Sequence, residues 1–278
     1  MLPFPRAHYY VAAFLLLTFV AFSQSYFLVL NEAPFAHHFH GITATLWIVL
    51  VITQSATIHH GWWKIHSWSG RFSLLLMPLF VSAGLLATQA TLQRQSPFTP
   101  MFGVPLAVAD VVASLIVPLM YFLALRYRKS PDHHARYMLG TVSLLIGPSV
   151  SRLLAFFVPG FRINGPDELY NFGACVDASF AFALVFMGVL LVRDAMARKP
   201  LMPFVLALIG SGGMFVGYKY LGETAVWRGM APTLATLPSA LFVIAGLLIG
   251  GLASYAGWTL KAGRDAARPA AAPRPNRA

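Results

Sequence analysis

Residues 37–71 read HHFHGITATLWIVLVITQSATIHHGWWKIHSWSGR, and six of the chain's nine histidines fall in these 35 residues. Three stand before a long apolar run and three at or after its end. From residue 40 to residue 59 a helix rising 1.5 Å per residue covers ~29 Å, one hydrocarbon thickness. The stretch reads as a membrane crossing with imidazoles at both faces, His37, His38 and His40 on one side and His59, His60 and His66 on the other.

The rest of the chain agrees with that reading. It has 278 residues, 58% hydrophobic and only 10% charged, with mean hydropathy +0.67. A soluble domain carries about 25% charged residues. One soluble core of this length could not hide so much apolar surface, whereas a bilayer would. Eight stretches are long enough to span, near 9–30, 40–59, 72–91, 104–126, 137–158, 171–192, 201–220 and 236–258. Backbone groups in lipid must pair internally, and these runs lack the alternation of barrel strands, so they are helices. The apolar signal is weakest over 201–220, where G-S-G-G at 210–213 dilutes it. The first run is longer than the ~7–15 residues of a signal-peptide core and no clean cleavage site follows, so it reads as a retained helix. The expected fold is an all-α integral membrane bundle of about eight transmembrane helices. It occupies residues 1–258, with short loops of about 10–15 residues and antiparallel neighbours. The tail 259–278, rich in Ala, Pro and Arg, reads as a disordered basic extension close to anionic lipid.

Lys and Arg set the orientation. With eight spans both termini share one side, and that side collects fifteen of the twenty cations, from Arg6 to Arg277. The other holds only Arg94, Arg162, Lys219 and Arg228, while Arg152 lies inside a span. Positive charge stays cytoplasmic, so both termini are expected there. The net charge of +11 is spread over five cytoplasmic segments, which argues against a nucleic-acid surface. The single cysteine, Cys175, falls in a span, excludes intrachain disulfides and reads as a small core residue.

The cytoplasmic side gathers chemistry. S-P-D-H-H-A-R at 130–136 begins with a hydroxyl cap and a proline, a helix-start signature, and places His133 and His134 in a first turn. The helix dipole disfavours imidazolium there, and neutral imidazole is the form that binds metal. Together with His59, His60 and His66 this makes five imidazoles, with His8 a sixth; they suit an iron or zinc site, or two axial positions on a haem. The spacing matches no standard zinc pattern. The plain alternative is interfacial histidines bonded to loop carbonyls. Trp62, Trp63 and Trp68 read as an interfacial tryptophan belt in the loop 61–72.

The opposite side offers a polar pocket. His40, Thr43, Trp47 and Gln54 fall on one stripe of the second helix, which should face protein or water rather than lipid. Gly41 leaves room for a neighbouring helix or a cofactor. Asp110, Arg152 and Asp177 sit at one depth, ~9 Å below the outer boundary by the helix rise. The expectation is an Arg152 ion pair with Asp177, Asp110 or both, either locking helices structurally or lining an outward pocket with His37, His38 or His40 at its mouth. The small residues of the last two spans read as close helix packing.

The motifs H-x-H-G-x-x-x-T-L-W, Gln54, K-I-H-x-x-x-G and P-D-H-H-A-R-Y-M resemble a family of histidine-rich bacterial polytopic membrane proteins over roughly the first 155 residues. The resemblance implies inner-membrane residence and a shared pattern at His40, Trp47, Gln54, His66 and His134, and it carries no assigned activity. Two functional readings stand open. One is a metal- or haem-dependent redox protein built on the cytoplasmic histidines. The other is a small-solute or ion transporter using Asp110, Arg152 and Asp177, beside which a non-catalytic assembly role remains.

Overall fold

A computed structural model describes residues 2–260 of the chain. Ten α-helices follow in order: α1 Ala7–Ala21, α2 Phe35–His59, α3 Trp63–Gln93, α4 Val104–Arg126, α5 Pro131–Ser143, α6 Ile146–Phe157, α7 Phe172–Met196, α8 Met202–Val216, α9 Ala225–Thr236 and α10 Ser239–Thr259. No strand occurs among the described residues. Seven helical units are long and apolar enough to cross a membrane: α2, α3, α4, the α5–α6 pair, α7, α8 and α10, several of them with a short 3₁₀ or π turn attached.

The helix boundaries depart from the sequence expectation where local chemistry overrides hydropathy. The run expected over 9–30 folds as a 15-residue helix that ends at Ala21. Ser23, Gln24 and Ser25 interrupt it, and the Ser23 hydroxyl turns back to the Val20 carbonyl. At 1.5 Å per residue α1 is ~22 Å long, short of the ~30 Å hydrocarbon core. The run expected over 137–158 is two helices. Pro148 has no N–H to give the Leu144 carbonyl and its ring crowds that carbonyl, so the chain turns at Leu144–Leu145 between α5 and α6. The loop expected over 61–72 is helix instead. Gly61, at φ +74°, makes a three-residue turn after α2, and α3 starts at Trp63. Trp62, Trp63 and Trp68 all remain exposed. Thr259 closes α10, and the basic tail beyond Leu260 lies outside the described residues.

Small residues set the packing. A Cβ on Gly246 would stand 2.3 Å from Ser82 Cα, and one on Gly250 2.5 Å from Pro78 Cα, so α10 lies backbone to backbone along α3. A Cβ on Gly210 would meet Ile116 at 2.6 Å and one on Gly217 would meet Val108 at 2.9 Å, which seats α8 on α4. In lipid the hydrophobic effect does not drive helices together, and close van der Waals approach takes its place. The core between these helices is dry: Trp47, Leu76, Met77, Met120 and Tyr121 are at most 1% exposed.

This contact makes a paired prediction. Gly250→Leu should lower stability by about 1–3 kcal/mol through overpacking against backbone, read as a lower thermal midpoint of the purified protein. Gly251→Leu, where nothing lies within 4 Å of the added carbon, should leave the midpoint unchanged.

Candidate functional site

The end of the bundle that carries His37–His40 gathers polar side chains from α2, α3, α4 and α6. Two turns of adjacent helices build it. On α3, Gly84 and Thr88 lie one turn apart; on α4, Asp110 and Ser114 do the same. The Thr88 hydroxyl donates to Asp110 Oδ2 at 3.2 Å. A Cβ on Gly84 would stand 3.8 Å from the His40 ring and 3.9 Å from Ser114 Oγ, so His40 of α2 and Ser114 of α4 lie close to the same turn of α3. Arg152 of α6 lies at the same end of the bundle, beside Phe22. Asp110 is exposed, and His40, Ser114 and Arg152 are partly exposed, although each sits on a membrane-length helix.

The expected ion pair of Arg152 is corrected by this arrangement. Among the described residues no carboxylate lies within 4.0 Å of its guanidinium. Arg152 Nη1 donates to the Pro148 carbonyl at 2.9 Å, one turn back on its own helix. Its flat face rests 4.3 Å over the Phe22 ring. Asp177 has gone elsewhere: the Lys219 ammonium, in the π turn after α8, pairs with it. Depth along a helix is legible in sequence, but the direction in which a side chain leaves the helix decides the partner.

The remaining upper residues have structural partners. His38 Nδ1 shares a 2.7 Å hydrogen bond with the Tyr26 hydroxyl, whose proton burial holds more tightly than usual. The Tyr26 ring fills the space over Gly41, 3.6 Å from where a Cβ would be. Below His40 lies a run of aromatic rings. His40 stacks on Phe80 at 5.8 Å, Phe80 on Trp47 at 6.0 Å, and Trp47 meets Tyr121 edge-on at 5.2 Å. Trp47 donates its indole N–H to Thr141 Oγ1 at 3.0 Å, and Tyr121 and Ser73 share a hydrogen bond at 2.6 Å. Thr43 is buried and bonds back to the Phe39 carbonyl at 2.8 Å.

At the opposite end, the five histidines expected to form one site are divided. His59 donates from Nδ1 to Ser55 O and places Nε2 3.2 Å from Pro3 O, and with His60 it lies beside His8, ring centroids 6.0–6.4 Å apart. His133 bonds Ser130 Oγ at 2.9 Å and stacks on Tyr127. His66 and His134 form the third group: their Nδ1 atoms donate to the carbonyls of Gln54, at 3.2 Å, and Ala124, at 2.8 Å. Gln54 answers from its side chain, donating to His66 O at 2.8 Å and Ser69 Oγ at 2.6 Å. Among the described residues no three His, Cys, Asp or Glu side chains are arranged to hold a metal ion.

Sequence reasoning missed a network at this end. Arg136, 3% exposed, forks onto Asp194, 1% exposed, with bonds of 2.6 and 3.2 Å, and its third nitrogen reaches Asp132 at 2.8 Å. Lys199 completes the network on Asp132. The Phe4 ring lies between the Arg136 and Arg193 guanidiniums, 4.9 and 4.6 Å from their centres, with its backbone in the left-handed region at φ +54°. The one available signal was an aspartate, Asp194, standing alone in a stretch otherwise dominated by arginine and lysine.

Comparison with protein-family models, curated proteins and solved structures finds no match to this chain.

Breaking the buried pair should be costly, because Arg136 is then left with only the partly exposed Asp132. Asp194→Asn is expected to lower stability by about 1–3 kcal/mol, read by thermal denaturation of the purified protein. The double change Arg136→Met with Asp194→Leu should recover most of that loss, since it removes both buried charges.

Proposed function

We propose that this chain is a bacterial inner-membrane transporter for a small solute, and that the polar group of His40, Asp110 and Arg152 marks a solute site open to the outside. The observation that carries the reading is the unpaired Arg152. A charge placed in the hydrocarbon zone pairs with an opposite charge or a backbone carbonyl, or lines water; among the described residues Arg152 has no carboxylate within 4.0 Å and one carbonyl partner, Pro148 O. On this reading its remaining N–H groups face an aqueous path. The aromatic floor of Phe80, Trp47 and Tyr121 and the Arg136–Asp194 network close the other side, the arrangement of a carrier with one end open.

The orientation rests on charge. Fifteen of twenty cations gather on the side of His66 when the chain crosses eight times, with α1 as the first crossing. Its ~22 Å length is met by local thinning of the bilayer, a cost of fractions of a kcal/mol per Å. Both termini are then cytoplasmic. The likeness to the histidine-rich bacterial family belongs to the same proposal.

A second reading keeps the redox hypothesis for two residues only. His66 and His134 each fix their tautomer by an Nδ1–H···O=C bond, the second-shell arrangement of metal-ligating imidazoles. Two such ligands suffice for a haem but not for a closed zinc site. Protein made with haem available should show a Soret band that disappears in His134→Ala if this reading holds; colourless protein ends it.

Alternating access is tested with one introduced thiol. In a Cys175→Ala background, which removes the only native cysteine, Ser114→Cys should react with a membrane-impermeant thiol reagent in intact cells. It should react in inverted vesicles as well, more slowly, as the site opens inward. Reaction from neither face, or from one face only, contradicts transport.

A further inference from the structure

The residues before α1 fold back across the end of the bundle that carries His66. Phe4 has a backbone φ of +54°, which an L side chain rarely adopts and which persists only where surrounding contacts hold it. Three helices supply contacts to its ring. The ring lies 4.9 Å from the Arg136 guanidinium of α5 and 4.6 Å from the Arg193 guanidinium of α7, and it meets Phe204 of α8 edge-on at 6.3 Å. A fourth helix holds the preceding residue: the Pro3 carbonyl lies 3.2 Å from Nε2 of His59, the last residue of α2. Residues 3–6 are thus a strap tied to α2, α5, α7 and α8.

His59 is the tie whose chemistry can change. Its Nδ1 faces Ser55 O at 2.7 Å while its Nε2 faces Pro3 O. Both partners are carbonyl oxygens, which only accept. A neutral imidazole has one N–H and serves one of them; an imidazolium has two and serves both. In the neutral ring the proton stays on the shorter bond, to Ser55, and a lone pair then points at the Pro3 oxygen. The other ionisable groups near this tie come from three elements. His8 of α1 has its ring centroid 6.4 Å from that of His59 and 6.0 Å from that of His60. Arg6 is exposed in the strap itself, and on α3 Lys64 is exposed and His66 is turned to Gln54 O. Arg136, Arg193 and Asp194 stand at the Phe4 end. Among the described residues no carboxylate lies within 4.0 Å of His8, His59 or His60. His8 is buried with its Nδ1 unbonded, and His60 has one carbonyl partner, Ala56 O. A proton entering this group of imidazoles finds two carbonyls only at His59.

We propose that residues 3–6 form a proton-controlled strap: the His59 imidazolium clamps the Pro3 carbonyl and holds this end of the bundle closed, and loss of the Nε2 proton releases it. Acid closes the strap and base frees it. The proposal stands on the strap's own contacts; in a transporter the strap is the gate at the end opposite the solute site.

Spin-label mobility tests it. The full chain carrying Cys175→Ala and Leu2→Cys is labelled with a nitroxide at position 2, placed in lipid nanodiscs and followed by electron paramagnetic resonance from about pH 5 to about pH 9, the range that brackets imidazole ionisation. The label should be immobilised in acid, with a mobile component that grows as pH rises. His59→Phe, which keeps a ring and loses both N–H groups, should be mobile throughout. His59→Arg, which keeps its charge and donors at every pH, should stay immobilised. His8→Gln and His60→Gln should retain the transition. A label that stays immobile over the whole range or loosens in acid, with His59 intact, overturns the proposal whether or not the variants fold. So does a transition that survives in His59→Phe or vanishes in His8→Gln or His60→Gln. Thiol reaction at position 114 tests transport without reference to the strap, so the failure of one reading is told apart from the failure of the other.

Discussion

A guanidinium in the hydrocarbon zone needs an anion, a backbone carbonyl or water, and among the described residues Arg152 has no carboxylate within 4.0 Å and a single carbonyl partner, Pro148 O. Everything distinctive about the upper half of the bundle follows from that. Pro148 ends the ladder that would have run straight through, so α6 starts anew and presents Arg152 to Phe22. Phe22 serves as a platform because α1 stops at Ala21 and the chain turns there. His40 approaches Gly84 of α3 and stacks on Phe80. Together these leave a polar group above an aromatic floor.

The two ends of the bundle treat charge in opposite ways. Near His66, Arg136 is held on Asp194 and Asp132, and Phe4 lies across its face, so the charge is satisfied and sealed. A buried pair of this kind is weak evidence for stability but fixes how helices meet, here α5 against α7. Near His40 the charge is accessible and uncompensated at contact distance. A structural lock at both ends would leave no reason for the asymmetry. The proposed solute site at one end and a lock at the other account for it.

Membrane residence, helical class and most crossings were legible from the hydropathy of the chain, because bilayer thickness imposes a length that composition cannot disguise. The stripes of Gly246 and Gly250 were legible as packing for a similar reason, since small residues at helical spacing have few other uses in lipid. Proline at 148 and the Ser-Gln-Ser at 23–25 were visible but were outweighed by their apolar neighbours, so two boundaries were misplaced. The histidines show the deeper limit. Their sidedness can be read from spacing, but whether they meet depends on rotation about each helix axis and on which backbone carbonyl happens to lie near. His59 found Ser55, His133 found Ser130, and the expected five-membered site dissolved into three groups. Asp177 was likewise taken by Lys219, a residue the sequence reading had assigned only to a loop charge count.

The central claim is that Arg152 faces solvent or solute rather than a protein carboxylate. The most direct measurement is a cryo-electron-microscopy map of the chain in lipid nanodiscs, at a resolution that shows ordered water. The account predicts water or anion density on the open edge of the Arg152 guanidinium, with the Asp110 carboxylate turned to Thr88. A direct Arg152–Asp110 or Arg152–Asp177 ion pair, with no such density, would contradict it.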